Sequence, residues 1–336
     1  MNNENNFNDI IISTRVRLAR NLSEFPFPCK LQNQQRTDVI NKIKNAALNC
    51  KTLGKYLFKF IDINNLNRTE AISLVERHIA SPELISSRNK NGLIISQDGS
   101  VSIMVCEEDH LRIQVMKDGL RLDEVYEIAD EIDSALDKEL SFAFDDKLGY
   151  LTQCPTNIGT GMRASLMMHL PAMRESGTIQ RISEDLSKLG LTIRGIYGEG
   201  SEPKGDIYQL SNQITLGISE RAAIENLKNI SFQLIKKERQ SRIEMAKNIN
   251  VEDTILRSYG ILKSAKLISN DEFMKLISNV RFGVSTGIIN DISYDDINKL
   301  ITMLQPATLM KNLGEHMDEI ERDKQRAKLL QDKLLS

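Results

Sequence analysis

The sequence lacks several features that would place it in a common class of binding protein. Its 336 residues contain no Trp, and they are 40% hydrophobic and 27% charged, which is ordinary for a globular protein. The formal net charge is -2, from 44 Lys and Arg against 46 Asp and Glu, so there is no overall positive charge to attract a phosphate backbone. We therefore expect no nucleic-acid partner.

Segments that direct a protein to a membrane are also missing. Residues 1–9 are polar and rich in Asn, without the basic and apolar regions of a signal peptide. No uninterrupted run of about 18 apolar residues occurs, so no membrane-spanning helix is expected. The expectation is a cytoplasmic protein without a membrane partner.

Cysteine spacing and the familiar nucleotide motifs are further absences. Cys29, Cys50, Cys106 and Cys154 show no Cys-x-x-Cys spacing and no nearby His cluster, which disfavours a zinc site or a disulfide framework. The sequence has no G-x-x-x-x-G-K-[ST], no H-R-D and no D-F-G. An ATP site in this chain would therefore have to bind phosphates without a Walker lysine.

One segment imitates a dinucleotide-binding motif. Residues 159–164, GTGMRA, fit G-x-G-x-x-A, and Glu184 follows about 20 residues later, where such a motif needs an acidic residue. Pro155 interrupts the segment in which the preceding strand should end. This alternative is therefore disfavoured.

The hydrophobic pattern changes along the chain. Residues 102–105 and 111–115 alternate in the manner of strands, and residues 122–136 have helical spacing. Helices are also predicted over 163–173 and 178–189. After Ser219, a good helix N-cap, the sequence is almost entirely helical, with helices predicted at the following positions: 219–247, 254–265, 271–279, 294–304 and from 315 onward. The irregular order of strands and helices favours an α+β fold.

Arginines recur in short segments that contain glycine or lie in predicted strands. Arg15 and Arg17 alternate, so they would project to one face of an extended segment. Arg112 follows an acidic cluster, Arg163 follows two glycines, and Arg194 precedes a glycine-rich segment. Taken singly, each is more simply a surface arginine in an ion pair. Together they favour a phosphate site, because guanidinium groups bind phosphate oxygens in pairs and remain charged.

Four segments resemble a known family in their content and their order. They are STRVRLARN at 13–21, EEDHLRI at 107–113, CPTNIGTGMRAS at 154–165 and RGIYGEGS at 194–201. They resemble the signatures of the ATP:guanido phosphotransferases, the family of creatine and arginine kinases. The resemblance implies a phosphagen-kinase-like catalytic domain at 8–235, with an antiparallel sheet flanked by helices, and an all-α domain at 236–336 for regulation and dimerisation.

The arrangement of the motifs is similar to one branch of that family. Creatine kinases carry a helical domain before the first arginine motif, whereas here that motif begins at Ser13 and about a hundred helical residues follow at the C-terminal end. This resembles the bacterial protein arginine kinases, which phosphorylate arginine side chains in proteins. The resemblance implies ATP and Mg²⁺, protein substrates with accessible arginines, a homodimer, a zinc-binding activator protein, a Clp-type unfoldase and control of stress repressors. Two alternatives stay open: a kinase of small guanidines and a non-catalytic adaptor that reads phosphoarginine.

The resemblance also implies roles for particular residues. Glu108 and Glu199 would hold the target guanidinium and accept its proton, and the Cys154 thiolate would orient it. The motif RDKQRA at 322–327 would bind phosphoarginine as an effector through Arg322, Asp323, Arg326 and Ala327. No metal ligands are expected from the protein, because Mg²⁺ would bridge phosphate oxygens. The residues expected to bind ATP are Ser13, Thr14, Arg15, Val16, Arg17, His78, Arg112, Arg163, Ala164, Ser165, Leu166, Met167, Arg194, Gly195, Ile196, Tyr197, Gly198 and Glu199.

Overall fold

The computed structural model of the chain describes residues 7–196 and 203–335. The strands in these ranges are β1 Ile11–Arg20, β2 Lys59–Asp62, β3 Gly92–Ile95, β4 Val101–Val105, β5 Leu111–Asp118, β6 Phe144–Asp145, β7 Gly149–Tyr150, β8 Met162–His169, β9 Leu191–Gly195 and β10 Ile207–Asn212. The helices are α1 Asn33–Asn49, α2 Arg68–Glu76, α3 Pro82–Ser86, α4 Leu122–Leu140, α5 Pro171–Glu175, α6 Thr178–Lys188, α7 Glu220–Met245, α8 Ile249–Ser264, α9 Asn270–Thr286, α10 Tyr294–Met303, α11 Pro306–Leu313 and α12 Glu319–Leu334.

Eight of the described strands form one sheet in the order β2-β3-β4-β5-β1-β8-β10-β9. β1 pairs antiparallel with β5, and the register places Arg17 opposite Gln114 and Ala19 opposite Arg112. β5 pairs antiparallel with β4, which places Met104 opposite Arg112. The sheet and its flanking helices confirm the α+β class and the antiparallel sheet expected from the sequence.

β1 has one apolar face and one face that carries arginine. β-branched residues favour an extended chain, and successive side chains in a strand point to opposite faces. Val16 and Leu18 are buried on one face, whereas Arg15 and Arg17 lie half-buried on the other. The extended segment predicted from the alternation of these arginines is confirmed.

The chain forms two compact units, each assembled from separate stretches. We call Ser13–Ser165 with Ser211–Lys228 the first unit. The second unit consists of the described parts of Met1–Ile12, Leu166–Leu210 and Asn229–Ser336. The expected domain boundary between residues 235 and 236 falls inside α7. The division into domains 8–235 and 236–336 stays a prediction.

In the first unit, helices cover the sheet and leave the arginines at the edge of a small core. α4 packs against β5 through apolar residues at helical spacing, among them Val125 and Ile132. The segment that contains α2 and α3 packs through Ile79 and Leu84 against Met104. Because cross-strand partners share a face, this segment lies on the side of the sheet to which Arg112 points.

The second unit has a helical core centred on α9. Phe273, Ile277 and Val280 are buried on this helix and pack in one cluster with residues of α8, α10 and α12, such as Leu262 and Leu330. The helices predicted after residue 219 are confirmed as α7, α8, α9, α10 and α12, and α11 is an additional one. Among the described helices, none is both long enough and apolar enough to cross a membrane.

One predicted helix was wrong. Residues 163–173 were expected to be helical, but β8 and the short α5 occupy this range. Ala, Leu, Met and Arg favour helices intrinsically, which explains the error. β8 instead lies between β1 and β10 in the sheet, where pairing outweighs that preference. The helix predicted at 178–189 is confirmed as α6.

Candidate active site

The arginine-bearing face of β1 is the first component of the site. Arg15 and Arg17 are half-buried there, whereas Thr14 and Val16 are fully buried on the opposite face. The hydroxyl of Thr14 donates a hydrogen bond to the carbonyl of Gly119 at 2.6 Å. The side chains of Thr14 and Val16 therefore stabilise the fold, and any contact with ATP would involve their backbone.

Four guanidinium groups interact with one another in the first unit, and we call Arg15, Arg17, Arg112 and Arg163 the arginine cluster. They lie on β1, β5 and β8, which are neighbours in the sheet. The pKa of Arg17 lies well below its usual value, first because burial desolvates the group and then because of the other three positive charges. The charge of Glu107 acts in the opposite direction. A bound polyanion would relieve this repulsion.

The arginine cluster has N–H donors that the described protein does not satisfy. Nε of Arg17 and Nε of Arg112 are buried and have no hydrogen-bond partner among residues 7–196 and 203–335. Glu107 Oε1 accepts hydrogen bonds from Arg112 Nη2 at 2.9 Å and from Ser81 Oγ at 2.6 Å. A buried unsatisfied donor costs about 1–3 kcal/mol. Phosphate oxygens that accept hydrogen bonds from these two donors would remove that cost.

His78 lies beside the arginine cluster in an unusual conformation. Its φ is 58°, in the left-handed region that non-glycine residues rarely adopt, and its carbonyl accepts a hydrogen bond from Gln114 Nε2 at 2.7 Å. Burial first, and then the charges of Arg15 and Arg17, lower the pKa of His78 to about 3. His78 is therefore neutral at physiological pH.

Glu108 lies in the connection between β4 and β5. The pKa of this carboxyl is raised, first by burial and then by the negative charges of Asp109 and Glu107, while Arg112 lowers it. A carboxylate whose pKa is raised accepts a proton more readily than an ordinary one. The environment of Glu108 suits a proton acceptor that faces a cationic substrate.

Cys154 is half-buried and its thiol is free. Its Sγ lies 3.1 Å from the hydroxyl of Thr156. The backbone N–H of Gln153 donates to Asp109 Oδ1 at 2.7 Å, so one hydrogen bond joins the residue before Cys154 to the residue after Glu108. The structure thus brings together the segments that carry two of the three predicted catalytic groups.

Two glycines allow the chain to approach closely at the start of β8. Gly159 has a φ of 113°, and a Cβ at this position would lie 2.1 Å from the carbonyl oxygen of Thr215. Gly161 has a φ of 60°, and its Cβ would lie 2.7 Å from the carbonyl oxygen of Ala19. Only glycine fits both positions. The glycines lead into a strand that carries Arg163, and this contradicts the dinucleotide-binding alternative, which needs a helix there.

Comparison with known protein families shows to which family the chain belongs. Residues 38–241 match the family described as ATP:guanido phosphotransferase, C-terminal catalytic domain. The chain belongs to the ATP:guanido phosphotransferase family. Residues 248–336 match the family described as Protein-arginine kinase McsB C-terminal domain. The resemblance seen in the four sequence motifs is therefore confirmed.

Full-length relatives assign the branch within the family. The chain is 43% identical over 328 residues to the protein-arginine kinase of Caldanaerobacter subterraneus subsp. tengcongensis, covering 97% of each chain. It is 45% identical over 337 residues to the protein-arginine kinase of Clostridium acetobutylicum, covering 99% of this chain and 98% of the other. This ATP:guanido phosphotransferase therefore belongs to the protein-arginine kinase branch.

Solved structures agree on the fold. The duplicated taurocyamine kinase from Schistosoma mansoni with bound transition state analog components has a TM-score of 0.63 and 30% identity. The match covers 69% of this chain and 34% of the duplicated protein, so this chain spans about a third of it. Lombricine kinase has a TM-score of 0.62 at 24% identity, with 72% of this chain and 69% of the other covered, which shows a shared fold.

The remaining residues expected at the ATP site lie in several settings. Ala164, Ser165 and Leu166 are buried in β8, where their side chains contribute to packing. Arg194 is exposed on β9 in the second unit. Ser13, also expected at the ATP site, is buried in β1. Three others are half-buried: Met167, Gly195 and Ile196. Three more lie outside the described residues: Tyr197, Gly198 and Glu199.

The expected effector motif lies on α12, and its two arginines differ in environment. Arg326 is 1% exposed, and its Nε and Nη1 donate to the carbonyls of Leu304 at 3.1 Å and Ile268 at 2.7 Å. Its Nη1 also bonds Asp323 Oδ1 at 2.6 Å. Arg322 is only half-buried, although its Nη1 donates to a backbone carbonyl at 3.1 Å. Arg326 therefore supports the helical core in this conformation, and Ala327 beside it is buried as well.

The described residues contain no cluster of three or more His, Cys, Asp or Glu side chains that could hold a metal ion. Mg²⁺ in this fold would have to obtain most of its ligands from phosphate oxygens and water, which is its usual preference at nucleotide sites. Glu107 Oε2 is buried beside the arginine cluster and has no hydrogen-bond partner in the described ranges.

Sequence reasoning missed two acidic neighbours of Glu108. Glu107 provides the counter-charge of the arginine cluster, and Asp109 joins the segments of Glu108 and Cys154. Both belong to the same EEDH motif, so the signal was present. What the sequence could not show is which of the three consecutive carboxylates pairs with Arg112 and which one joins the two segments.

Proposed function

We propose that the chain transfers the γ-phosphoryl group of ATP to arginine side chains of proteins and forms N-phosphoarginine. The observation that carries this proposal is one arrangement of charge in the first unit. The arginine cluster suits a polyphosphate, and next to it Glu108 and Cys154 suit a guanidinium group. The two substrates would thus meet at the boundary between a positive and a negative region.

The chemistry requires a guanidinium nitrogen to act as a nucleophile. A guanidinium has a pKa above about 12, so its nitrogen attacks only if a proton leaves as the new bond forms. The nitrogen bonds to the γ-phosphorus, the bond from that phosphorus to the bridging oxygen breaks, and ADP leaves with the electron pair. Glu108 receives the proton, which its raised pKa favours.

The arginine cluster would stabilise negative charge on the transferring group and on the leaving ADP. Stabilisation of this kind is the main requirement of phosphoryl transfer. Mg²⁺, when bound to ATP, would neutralise further phosphate charge. His78 would lie near the adenine base of ATP as a neutral imidazole. By the resemblance of the motifs, Glu199 would be the second carboxylate on the guanidinium and Cys154 would orient it.

The segment with Arg322 and Arg326 is proposed to bind phosphoarginine as an effector. Because Arg326 is buried and hydrogen-bonded to Leu304 and Ile268, binding would have to exchange these carbonyls for phosphoryl oxygens. Effector binding would then be coupled to a change in the helical core, as an allosteric ligand requires.

The cellular setting proposed for the enzyme follows the sequence expectations. We propose a cytoplasmic homodimer that acts on proteins with accessible arginines, together with a zinc-binding activator protein. Its products would be marked for a Clp-type unfoldase, and stress repressors would be among its substrates. Protein-arginine kinases of similar length support the reaction itself.

The reaction can be tested with the purified chain, ATP, Mg²⁺ and casein as a loosely folded acceptor. Mass spectrometry under non-acidic conditions should locate phosphoryl groups on arginine, because the P–N bond is acid-labile. Glu108→Gln should lower turnover at least about a hundredfold with ATP binding unchanged. Glu83→Gln is the matched control, since Glu83 is an exposed carboxylate that influences the pKa of Glu108, and turnover should stay within about threefold.

Three outcomes would contradict the proposal. Free arginine as good an acceptor as casein would indicate a kinase of small guanidines. Binding of phosphoarginine without any turnover would indicate an adaptor. Equal losses of ATP affinity and rate in Glu108→Gln would remove Glu108 from the acceptor side of the site.

A further inference from the structure

A buried amide side chain lies between the segments that carry the proposed catalytic groups. Asn21 directly follows β1 and is 1% exposed. Its Nδ2 donates to Asp109 Oδ1 at 2.6 Å and to the carbonyl of Leu151 at 3.0 Å. Its Oδ1 accepts from the backbone N–H of His110 at 2.9 Å. One side chain thus joins its own segment to two others that are far apart in sequence, one with Asp109 and His110 and one with Leu151.

The connection continues to Cys154. Asp109 Oδ1 accepts from Gln153 N as well as from Asn21, so a single carboxylate oxygen joins the two segments. Asp109 is 2% exposed; burial raises its pKa, and the hydrogen bonds from Gln153 and Asn21 act in the opposite direction. Without these donors the ionised carboxylate would be buried at a high cost.

The ring of His110 fixes the same region through two further hydrogen bonds. The N–H of Leu22 donates to His110 Nδ1 at 3.0 Å, so the proton of the neutral ring lies on Nε2, which faces the carbonyl of Pro26 at 3.0 Å. Burial lowers the pKa of His110 to about 4. His110 therefore holds the loop in place, while Asn21 is the group that reaches both loops.

We infer that Asn21 is a positioning residue, which sets the spacing between Glu108 and Cys154 through Asp109 and the carbonyl of Leu151. This inference rests on the proposed roles of Glu108 and Cys154. The amide is needed because it alone offers two donors and an acceptor in a short side chain. Asp at this position would face the Asp109 carboxylate. Ala would remove the partner of the Leu151 carbonyl and of the His110 N–H, and would remove one of the two hydrogen bonds to Asp109 Oδ1.

The inference predicts a selective kinetic defect. Asn21→Asp should lower kcat/KM for casein about 30- to 100-fold, because a misplacement of about 1 Å at a reacting centre costs roughly that much. The KM for ATP should stay within about twofold, since the side-chain hydrogen bonds of Asn21 go to Asp109, Leu151 and His110 and none goes to the arginine cluster. Asn21→Ser keeps one small donor without added charge. It should show the same combination of a lowered kcat/KM for casein and an unchanged KM for ATP, to a smaller degree. It replaces Asn21→Asp as the test if that variant does not fold.

A matched control separates positioning from general stability. Asn212 is 3% exposed and also makes three side-chain hydrogen bonds, to the backbone of Met162, Ile214 and Ala164, none of them in the two loops. Asn212→Ala should lose thermal stability comparably to Asn21→Ala. It should leave the KM for casein within about twofold.

A second readout needs no turnover. The rate at which iodoacetamide alkylates Cys154, measured on its peptide relative to Cys50, should change at least about threefold in Asn21→Asp and stay constant in Asn212→Ala.

These measurements distinguish failure of the proposed function from failure of the inference about Asn21. If wild type does not phosphorylate arginine, the proposed function fails, while the alkylation rates still support or overturn the role of Asn21. If both Asn21 variants keep the wild-type alkylation rate and the wild-type kcat/KM for casein, Asn21 is a structural residue and the inference is overturned. An equal rise of both KM values would overturn it too.

Discussion

The arginine cluster of the first unit and Arg242 of the second unit differ in where their N–H donors point. In the arginine cluster, Nε of Arg17 and Nε of Arg112 are buried without a hydrogen-bond partner in the described structure. In the second unit, Arg242 donates to Glu238 Oε1 at 2.8 Å and to the carbonyls of His169 and Asp9 at 2.7 and 3.2 Å. The arginine cluster therefore has spare donors, whereas Nε, Nη1 and Nη2 of Arg242 all have acceptors in the protein.

The surrounding charge differs in the same way. Arg242 and Glu238 are a fully buried ion pair, and Glu238 also accepts from the backbone N–H groups of Ala172 and Met173 at the start of α5. Arg17, in contrast, interacts with three further guanidinium groups, and its pKa is lowered first by burial and then by these charges. The buried Arg242, with satisfied donors and a counter-ion, supports the fold. The arginine cluster, with repelling charges and unsatisfied donors, is suited to an anionic ligand.

The largest effect should come from removing a member of the arginine cluster. Arg17→Met should lower kcat/KM for ATP by about a thousandfold or more, the range found for arginines that stabilise phosphoryl transfer. The free energy of unfolding should stay constant or rise, because the variant removes a desolvated charge and its repulsion by Arg15. Steady-state kinetics and urea titration measure both. A variant that is inactive and also unstable would remove the distinction between the two sets of arginines.

The opposite result is expected for the second unit. Arg242→Met should lower the free energy of unfolding by about 3–5 kcal/mol, because it leaves the buried Glu238 carboxylate without its counter-ion. Arg239→Met is the control on the same helix, since Arg239 is 35% exposed and its pair with Asp9 should contribute about 1 kcal/mol or less. Urea unfolding of both variants tests this. Similar losses in the two would show that burial does not decide the outcome.

The two arginines of the effector motif should separate in the absence of any ligand. Arg326→Ala should lower the free energy of unfolding by about 2–3 kcal/mol, because it leaves the carbonyls of Ile268 and Leu304 unpaired. Arg322→Ala removes one half-buried bond and should cost less than about 1 kcal/mol. Thermal and urea unfolding without phosphoarginine measure the difference. If neither variant loses stability, the hydrogen bonds of Arg326 do not contribute to the fold, and effector binding need not replace them.

The most gradual effect should be a dependence of stability on pH. The pKa of His110 is lowered from 6.5 to about 4 in the folded chain, so the unfolded chain binds a proton first as the pH falls. Stability is therefore present above pH 6.5 and is lost between 6.5 and 4, at no more than about 1.4 kcal/mol per pH unit for this group. His110→Gln should reduce the slope, measured by urea unfolding at pH 7, 6 and 5. An unchanged slope would contradict the lowered pKa.

Much of the fold could be predicted from local sequence. The alternation of Arg15 and Arg17 indicated a strand, and the N-cap at Ser219 indicated the start of α7. The segment from 163 to 173 could not be assigned correctly from its own residues. Their intrinsic preference is helical, and only pairing with β1 and β10 makes β8 a strand.

For the candidate site, the sequence supplied the chemical groups, since the motifs named the guanidinium, carboxylate and thiol side chains and their order. The tertiary structure decided their environments: which face Arg17 shares with Arg112, how Asp109 joins two loops, and that Arg326 is buried. The physical reason is the separation along the sequence over which each kind of interaction acts. Strand and helix preferences act between neighbours in sequence, whereas desolvation, charge repulsion and hydrogen bonds act between groups such as Asn21 and Asp109, which only the folded chain brings within 2.6 Å.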